Sequence, residues 1–343
     1  MKRTGRTGRT SPSGAAAADP SPAYPSRIDM KKLLTTLFAS TLVLAGSAAL
    51  AADKEIAVIV KTVNSDFWQN VKKGANDAAA GLSGYTATFQ GAASDTDLAG
   101  QVALVENAVN RKVAGIVLAP SDPDALIPAI KKAWEAKIPV ILIDSAAAES
   151  GKAYYQSFLA TDNQKAGELC AQALIDKVGT TGKIAIMSYT AGSGSEIGRV
   201  GGFKMYIEAH SKLAIVGPFY SNSQMGTALN QTTDVLAANA DLKGIFGANE
   251  PTAIGMGRAL VQGAKAGKVV AIGFDGNADL QGFVKDGTIE AIAVQSAYQM
   301  GSLGVKTAVE ASQGKTVPKF LDTGVVMVTK KNIDSAEAKN VLY

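Results

Sequence analysis

Short apolar runs in this sequence end, again and again, on residues that could bind something. The run at 56–61 ends on Lys61 and leads through Asn64, Ser65 and Asp66 to Phe67 and Trp68. The run at 139–144 ends on Asp144-Ser145, and the run at 183–189 opens into a Gly/Ser loop that leads to Arg199. Asn249-Glu250 follow the run at 244–248, while Asp275 and Gln295 close those at 269–275 and 290–295. Carboxylates accept hydrogen bonds from vicinal hydroxyls, Arg and Asn donate them, and aromatic faces cover apolar C–H surface. This inventory suits a neutral, polyhydroxylated small molecule.

The same inventory lacks a catalytic set. The 343 residues include one His and one Cys. A zinc site needs three or four ligands, so these two cannot build one. A Ser-His-Asp triad could use only His210, and a Cys-His pair only Cys170 with His210. A single Cys forms no internal disulfide. His210 is expected at the surface after a helix, and Cys170 as a small core residue beside Leu169 and Leu174. Gly192, Ser193, Gly194 and Gly198 spell G-x-G-x-x-x-G, one residue longer than the dinucleotide fingerprint. That loop is expected to be a tight turn between strand and helix. Blander roles compete elsewhere: Phe67-Trp68 as a core pair at a helix start, Asp144 and Asp275 as helix N-caps, Arg199 as a solvated helix charge.

The elements that must position these residues alternate. Strands are expected at 56–61, 86–90, 115–119, 139–144, 157–160, 183–189, 214–220, 244–248, 269–275 and 290–295. Helices are expected between them, among others at 98–111, 164–178, 227–238 and 252–264. In the first of these Leu98, Val102, Val105 and Val109 share one face. Many of the strands are apolar at nearly every position, as when both faces of a sheet are covered. Repeated βα units give parallel sheets flanked by helices. Ten strands suit two similar halves, one to about residue 160 and one beyond, with no Pro/Ser linker between them. Segments 298–313 and 325–328 could return to either half. In open α/β sheets ligands bind beyond the carboxyl ends of the strands, which is where the residues above fall.

The composition is globular, with 47% hydrophobic and 19% charged residues, and the net charge is +4. Residues 1–51 hold seven of the 34 basic residues and two of the 30 acidic ones, which leaves 27 against 28. The basic bias belongs to the leader and does not point to nucleic acid. Met30-Lys31-Lys32, the apolar run 33–46 and Ala49-Leu50-Ala51 read as a signal peptide cleaved after Ala51. Residues 1–29, rich in Arg, Gly, Ser and Pro, read as a disordered or non-native leader, with Met30 the true initiator.

From residue 54 to about 330 the chain resembles the periplasmic sugar-binding proteins of ABC importers, the ribose/allose/galactose-type group. IAVIVKTVNSDFW (56–68), GIVLAPSDPDA (115–125), IPVILIDS (138–145), ATDN (160–163), GRVGGF (198–203), IFGANE (245–250), IGFDG (272–276) and AIAVQ (291–295) carry the likeness. It implies a type I periplasmic binding protein: two Rossmann-like lobes joined by three crossovers, with sugar in the cleft. The lobes would be 53–160 with 296–322, and 161–295 with 323–343. By the same likeness Phe67 and Trp68 sandwich a sugar ring and Asp144 binds hydroxyls. Arg199, Asn249, Asp275 and Gln295 supply polar contacts from the second lobe, and Lys61 matches allose-type members. Three positions depart from the ribose type: Ser65 and Ala119 replace Asn, and Ser145 replaces Arg. Near Tyr220 and Ser221 the ribose type places a further aromatic. The expected protein is not an enzyme, needs no cofactor or metal, works in the periplasm and delivers a small aldose or polyol to an ABC permease. The competing expectations are a sensor that presents a sugar or furanosyl signal to a chemoreceptor, and a nucleotide-cofactor enzyme of the same architecture.

Overall fold

The structure, a computed structural model, describes residues 54–343. The expected signal peptide, its cleavage site and the segment 1–29 lie outside the described residues. The described chain holds two six-stranded sheets.

The first sheet contains β1 (Lys54–Thr62), β2 (Tyr85–Ala92), β3 (Gly115–Leu118), β4 (Val140–Ile143), β5 (Ser157–Ala160) and the late β11 (Phe320–Asp322). Its order is β11-β5-β4-β3-β1-β2, parallel throughout. The second sheet holds β6 (Thr181–Ser188), β7 (Lys212–Tyr220), β8 (Leu242–Gly247), β9 (Val270–Phe274), β10 (Ala291–Gln295) and β12 (Val325–Thr329). Its order is β12-β10-β9-β8-β6-β7, and only the β10–β12 pair is antiparallel. All ten strands expected from the sequence form. The segment at 325–328 joins the second sheet, and β11 is an addition that apolar run length did not reveal.

Helices cover both faces. Those of the first lobe are α1 (Asp66–Ala80), α2 (Leu98–Asn110) and α3 (Ile127–Glu135). Those of the second are α4 (Asn163–Val178), α5 (Gly194–His210), α6 (Met225–Ala238), α7 (Glu250–Gln262) and α8 (Ala278–Asp286). The chain then returns with α9 (Ala297–Ser312), which packs on α1, and ends in the short α10 (Ala336–Lys339). Strands such as β3, β4 and β10 are buried at every position, the consequence of helices on both sides. The buried face of α2 is rotated from the expected one. Gln101, Val105 and Ala108 are buried, and Leu98, Val102 and Val109 only partly so. Gln101 goes inside because both ends of its amide are used, donating to Ala119 O and accepting from Ser121 N–H, each at 2.8 Å.

Glycine sets the closest helix approaches. A Cβ on Gly74 of α1 would meet the Tyr298 carbonyl of α9, and one on Gly301 of α9 would meet that of Val71. The second lobe repeats the device: Gly167 of α4 lies against the Arg199 carbonyl of α5, and Gly202 against that of Gln164. In each lobe two helix backbones touch where no side chain intervenes, next to the residues that face the cleft.

The chain passes between sheets three times, after β5, after β10 and between β11 and β12. Two of these passages are tied to each other. Thr323 N donates to Ala160 O at 3.0 Å, and Thr161 Oγ1 donates to Gly324 O at 3.1 Å.

Candidate functional site

The carboxyl ends of the two sheets face one another across a cavity of about 420 Å³, within the range of small-ligand pockets. Lys61, Phe67, Trp68, Arg199, Asn249, Asp275 and Gln295, all expected at a site, line it together. Asp144 does not line it; it lies behind Lys61.

Phe67 and Trp68 begin α1, whose N-cap Ser65 accepts from Trp68 N–H. Their rings meet edge to face with centroids 4.8 Å apart. Both are 5% exposed and pack on the core of the first lobe while bordering the cleft. The core role and the site role are therefore compatible.

Asp144 and Asp275 each follow the fourth strand of their lobe, at left-handed φ of 62° and 75°. Neither caps a helix of its own. Their backbone N–H groups bond to Leu159 O and Ala293 O on the next strand, and the left-handed turn after that bond swings the carboxylate across the sheet edge. Such backbone is uncommon for residues other than glycine and gathers at functional sites.

Asp144 pairs with Lys61 at 2.8 Å, both side chains being nearly inaccessible. Burial by itself would raise the Asp144 carboxyl. The Lys61 ammonium outweighs it and, with Arg199 and the Ser145 hydroxyl, holds Asp144 below the usual carboxylate range. Lys61 Nζ also donates to Ser145 Oγ at 2.7 Å and to Ser195 Oγ of the second lobe at 3.3 Å. Its three protons are thus all engaged. The Ser145 that replaces an expected Arg is part of this cluster.

Asp275 accepts from Gln295 Nε2 at 2.9 Å and from Glu250 N–H, the first amide of α7, at 3.0 Å. Burial pushes its carboxyl up to about 6, against the pull of Arg199 and of these two donors. Arg199 is fully buried rather than a solvated helix charge. It donates to Asn163 Oδ1 through Nε and Nη2 and to Ala248 O through Nη1, and its guanidinium lies 3.6 Å from the Phe274 ring centre. Three of its five N–H donors are used there, which leaves two for the cleft. Asn249 is the N-cap of α7, accepting from Thr252 N–H, and donates to Ser223 Oγ at 3.0 Å.

Several cleft residues escaped the sequence reading. Asp95 and Ser94 follow β2, and Ser223 follows β7; the strand-end rule would have found them had it been applied to those strands. Tyr189, Ser195 and Glu250 also line the cavity. Glu250 stands with Asn249 at the end of the run 244–248 but has no role in the expected site. Its carboxylate crosses the cleft to accept from Phe67 N–H at 3.1 and 3.3 Å, and Tyr343 donates to it at 2.9 Å. Burial, then the charge of Asp275, push Glu250 up to about 8. Where the ribose type places a further aromatic, Tyr220 is exposed and Ser221 is buried against Thr252. Tyr189 is an aromatic of the second lobe that lines the cleft. His210 ends α5, exposed and stacked on Tyr206, and Cys170 is buried. Gly192-Ser193-Gly194 is a βα turn with Ser193 as N-cap of α5. Among the described residues no cluster of three or more His, Cys, Asp or Glu is disposed to hold a metal.

Two lobes with parallel sheets, three passages between them and a polar cavity at the facing strand ends define a two-lobed α/β binding protein. The family model of the periplasmic binding protein domain matches residues 56–316, and the chain belongs to that family. It is 31% identical over 288 residues to the D-allose-binding periplasmic protein of Escherichia coli, covering 82% of this chain and 92% of that one. Among solved structures it matches an ABC transporter solute-binding protein from Agrobacterium vitis with bound D-fucose: 70% identity, TM-score 0.84, 84% of this chain and 100% of that one. A carbohydrate transporter solute-binding protein from Agrobacterium radiobacter in complex with D-arabinose matches at 35% identity and TM-score 0.81, over 85% and 99% of the chains. This chain is a sugar-capturing substrate-binding protein of an ABC importer, periplasmic and not an enzyme.

Proposed function

We propose that the cleft captures an aldose of the D-fucose type, a six-membered ring with a methyl group at its exocyclic carbon, and releases it to the importer's permease. The observation that carries this reading is the 70% identity to the D-fucose-bound Agrobacterium vitis protein over that chain's whole length. The ring would lie against Phe67 and Trp68. Arg199 and Asn249 would donate to its oxygens, and Asp275 and Gln295 would accept from its hydroxyls. Lys61 would hold Asp144 in place and add its charge to that wall. Ser65, Ala119 and Ser145 stand where the ribose type has two Asn and one Arg, which argues against a ribose-type set of hydroxyl contacts on that wall.

The lobes, 53–160 with 296–322 and 161–295 with 323–343, would close by bending at the three passages between the sheets. Ligand contacts to both lobes would favour the closed form, the form the permease reads. Export would follow cleavage after Ala51. Titration calorimetry on protein stripped of carried-over ligand, with D-fucose, D-galactose, D-arabinose, D-ribose and D-allose, tests the assignment. D-fucose should bind at least tenfold more tightly than D-ribose. Tighter binding of ribose would overturn it.

A further inference from the structure

Among the buried side-chain oxygens that find no hydrogen-bond partner, two belong to residues that line the cleft: Gln295 Oε1 and Asp95 Oδ1. Gln295 is already part of the proposed site. Asp95 is not, and it is more costly to leave unsatisfied, because a carboxylate loses more than an amide when it is taken out of water.

Asp95 lies beyond the carboxyl end of β2 in the first lobe and is 6% exposed. Its two oxygens are used unequally. Oδ2 accepts from Ser223 Oγ of the second lobe at 2.5 Å, and Ser223 in turn accepts from Asn249 Nδ2. Oδ1 accepts from nothing. The loop itself does not need the carboxylate, since Asp97 is the N-cap of α2 and accepts from Gly100 N–H. Burial raises the Asp95 carboxyl and the nearby Asp144 charge adds to this, while Lys61 and Ser223 pull it down. A buried carboxylate with one oxygen held and one free, on the wall of a polar cavity, is placed to accept a proton donor from a ligand.

We propose that Asp95 reads the ligand: its free Oδ1 accepts a hydrogen bond from one sugar hydroxyl, while Oδ2 holds Ser223 across the cleft. This inference rests on the sugar-binding reading above. Asp95 becomes a specificity-determining residue that selects for a hydroxyl at one ring position. Because Oδ2 reaches the opposite lobe, the same residue couples that selection to closure.

The test compares D-fucose with its 2-deoxy, 3-deoxy and 4-deoxy derivatives by calorimetry. The proteins are wild type, Asp95→Asn, Asp95→Ala and Ser223→Ala, each checked for folding by circular dichroism. Wild type should lose roughly tenfold or more in affinity for one of the deoxy sugars. Both Asp95 variants should bind D-fucose roughly tenfold more weakly and no longer distinguish it from that one deoxy sugar. Ser223→Ala should weaken all four sugars alike and keep the distinction. Asp95→Asn keeps the side-chain volume, so the result survives if Asp95→Ala does not fold. If folded Asp95 variants discriminate among the deoxy sugars as wild type does, Asp95 is only a bridge between lobes and the inference fails. If wild type binds none of these sugars but binds an unrelated solute, the sugar reading fails first and takes this one with it.

Discussion

At the scale of single residues the cleft is a set of buried charges whose neighbours decide their state. Lys61 on the cleft wall is paired with Asp144 behind it. Removing one partner strands the other, which for buried pairs costs about 3–5 kcal/mol. Lys61→Met should therefore lower stability by about that amount in chemical denaturation, and the double variant with Asp144→Asn should recover part of it. An unchanged midpoint in the single variant would show the pair to be dispensable. Asp275 differs, since its carboxylate serves both the cavity and the fold through Glu250 N–H. Asp275→Ala should weaken sugar binding by roughly 10–150-fold. It should also lower the melting temperature, because the first amide of α7 loses its acceptor. Glu250 gives the pH dependence. Its carboxyl titrates near ~4.3 in an unfolded chain and at about 8 in the fold. Between those values the folded protein keeps a proton that the unfolded chain has lost. The associated stability is complete below ~4.3 and is lost as pH rises towards 8. In ligand-free protein, Glu250→Gln should flatten the fall in melting temperature between pH 5 and pH 8 and leave the variant more stable than wild type at pH 8. Parallel curves would show that Glu250 does not carry the effect.

At the scale of elements the helices set where the cleft residues stand. The α4–α5 contact is made backbone to backbone at Gly167, directly against the carbonyl of Arg199. Gly167→Ala forces the two helices apart, an overpacking that costs about 1–3 kcal/mol, and it shifts Arg199 as well. Both melting temperature and sugar affinity should fall. Gly201, on α5 itself, faces open space. Gly201→Ala removes only the flexibility penalty of glycine in a helix and should stabilise by up to about 1 kcal/mol with affinity intact. Equal effects of the two substitutions on affinity would separate the helix contact from the site. The strand ends matter in the same way. Both fourth strands finish in a left-handed aspartate, so one local geometry, used once in each lobe, sets a carboxylate at the sheet edge: Asp275 on the cleft wall and Asp144 behind Lys61.

The whole molecule behaves as two walls held by bonds that cross between them. Lys61 to Ser195, Phe67 to Glu250, Ser223 to Asp95 and Asn277 to Asp66 all link the first lobe to the second. A ligand that binds both walls adds to these links and stabilises the folded, closed form. At ~100 times its dissociation constant it should raise unfolding stability by about 2.7 kcal/mol, a shift readable in a thermal melt of stripped protein. A panel of aldopentoses, aldohexoses and polyols without one such shift would remove sugars as the cargo.

Much of this was legible in the chain. Apolar runs of strand length, alternating with helical spacing, determined two parallel sheets, because a strand covered on both faces must be apolar at nearly every position. The strand-end rule picked out Lys61, Phe67, Trp68, Arg199, Asn249, Asp275 and Gln295 because topology fixes where the carboxyl ends of parallel strands lie. The tertiary structure alone decided how these residues are used. Asp144 is withdrawn behind Lys61, Arg199 is anchored by Asn163 and Ala248, Asp95 joins the cleft from the loop after β2, and Glu250 reaches across it to Phe67 N–H. Periodicity reports which face of an element is buried. Whether a charged side chain at a strand end meets the ligand, another charge or the opposite lobe depends on residues some 20 to 180 positions away, and that pairing exists only once the chain has folded.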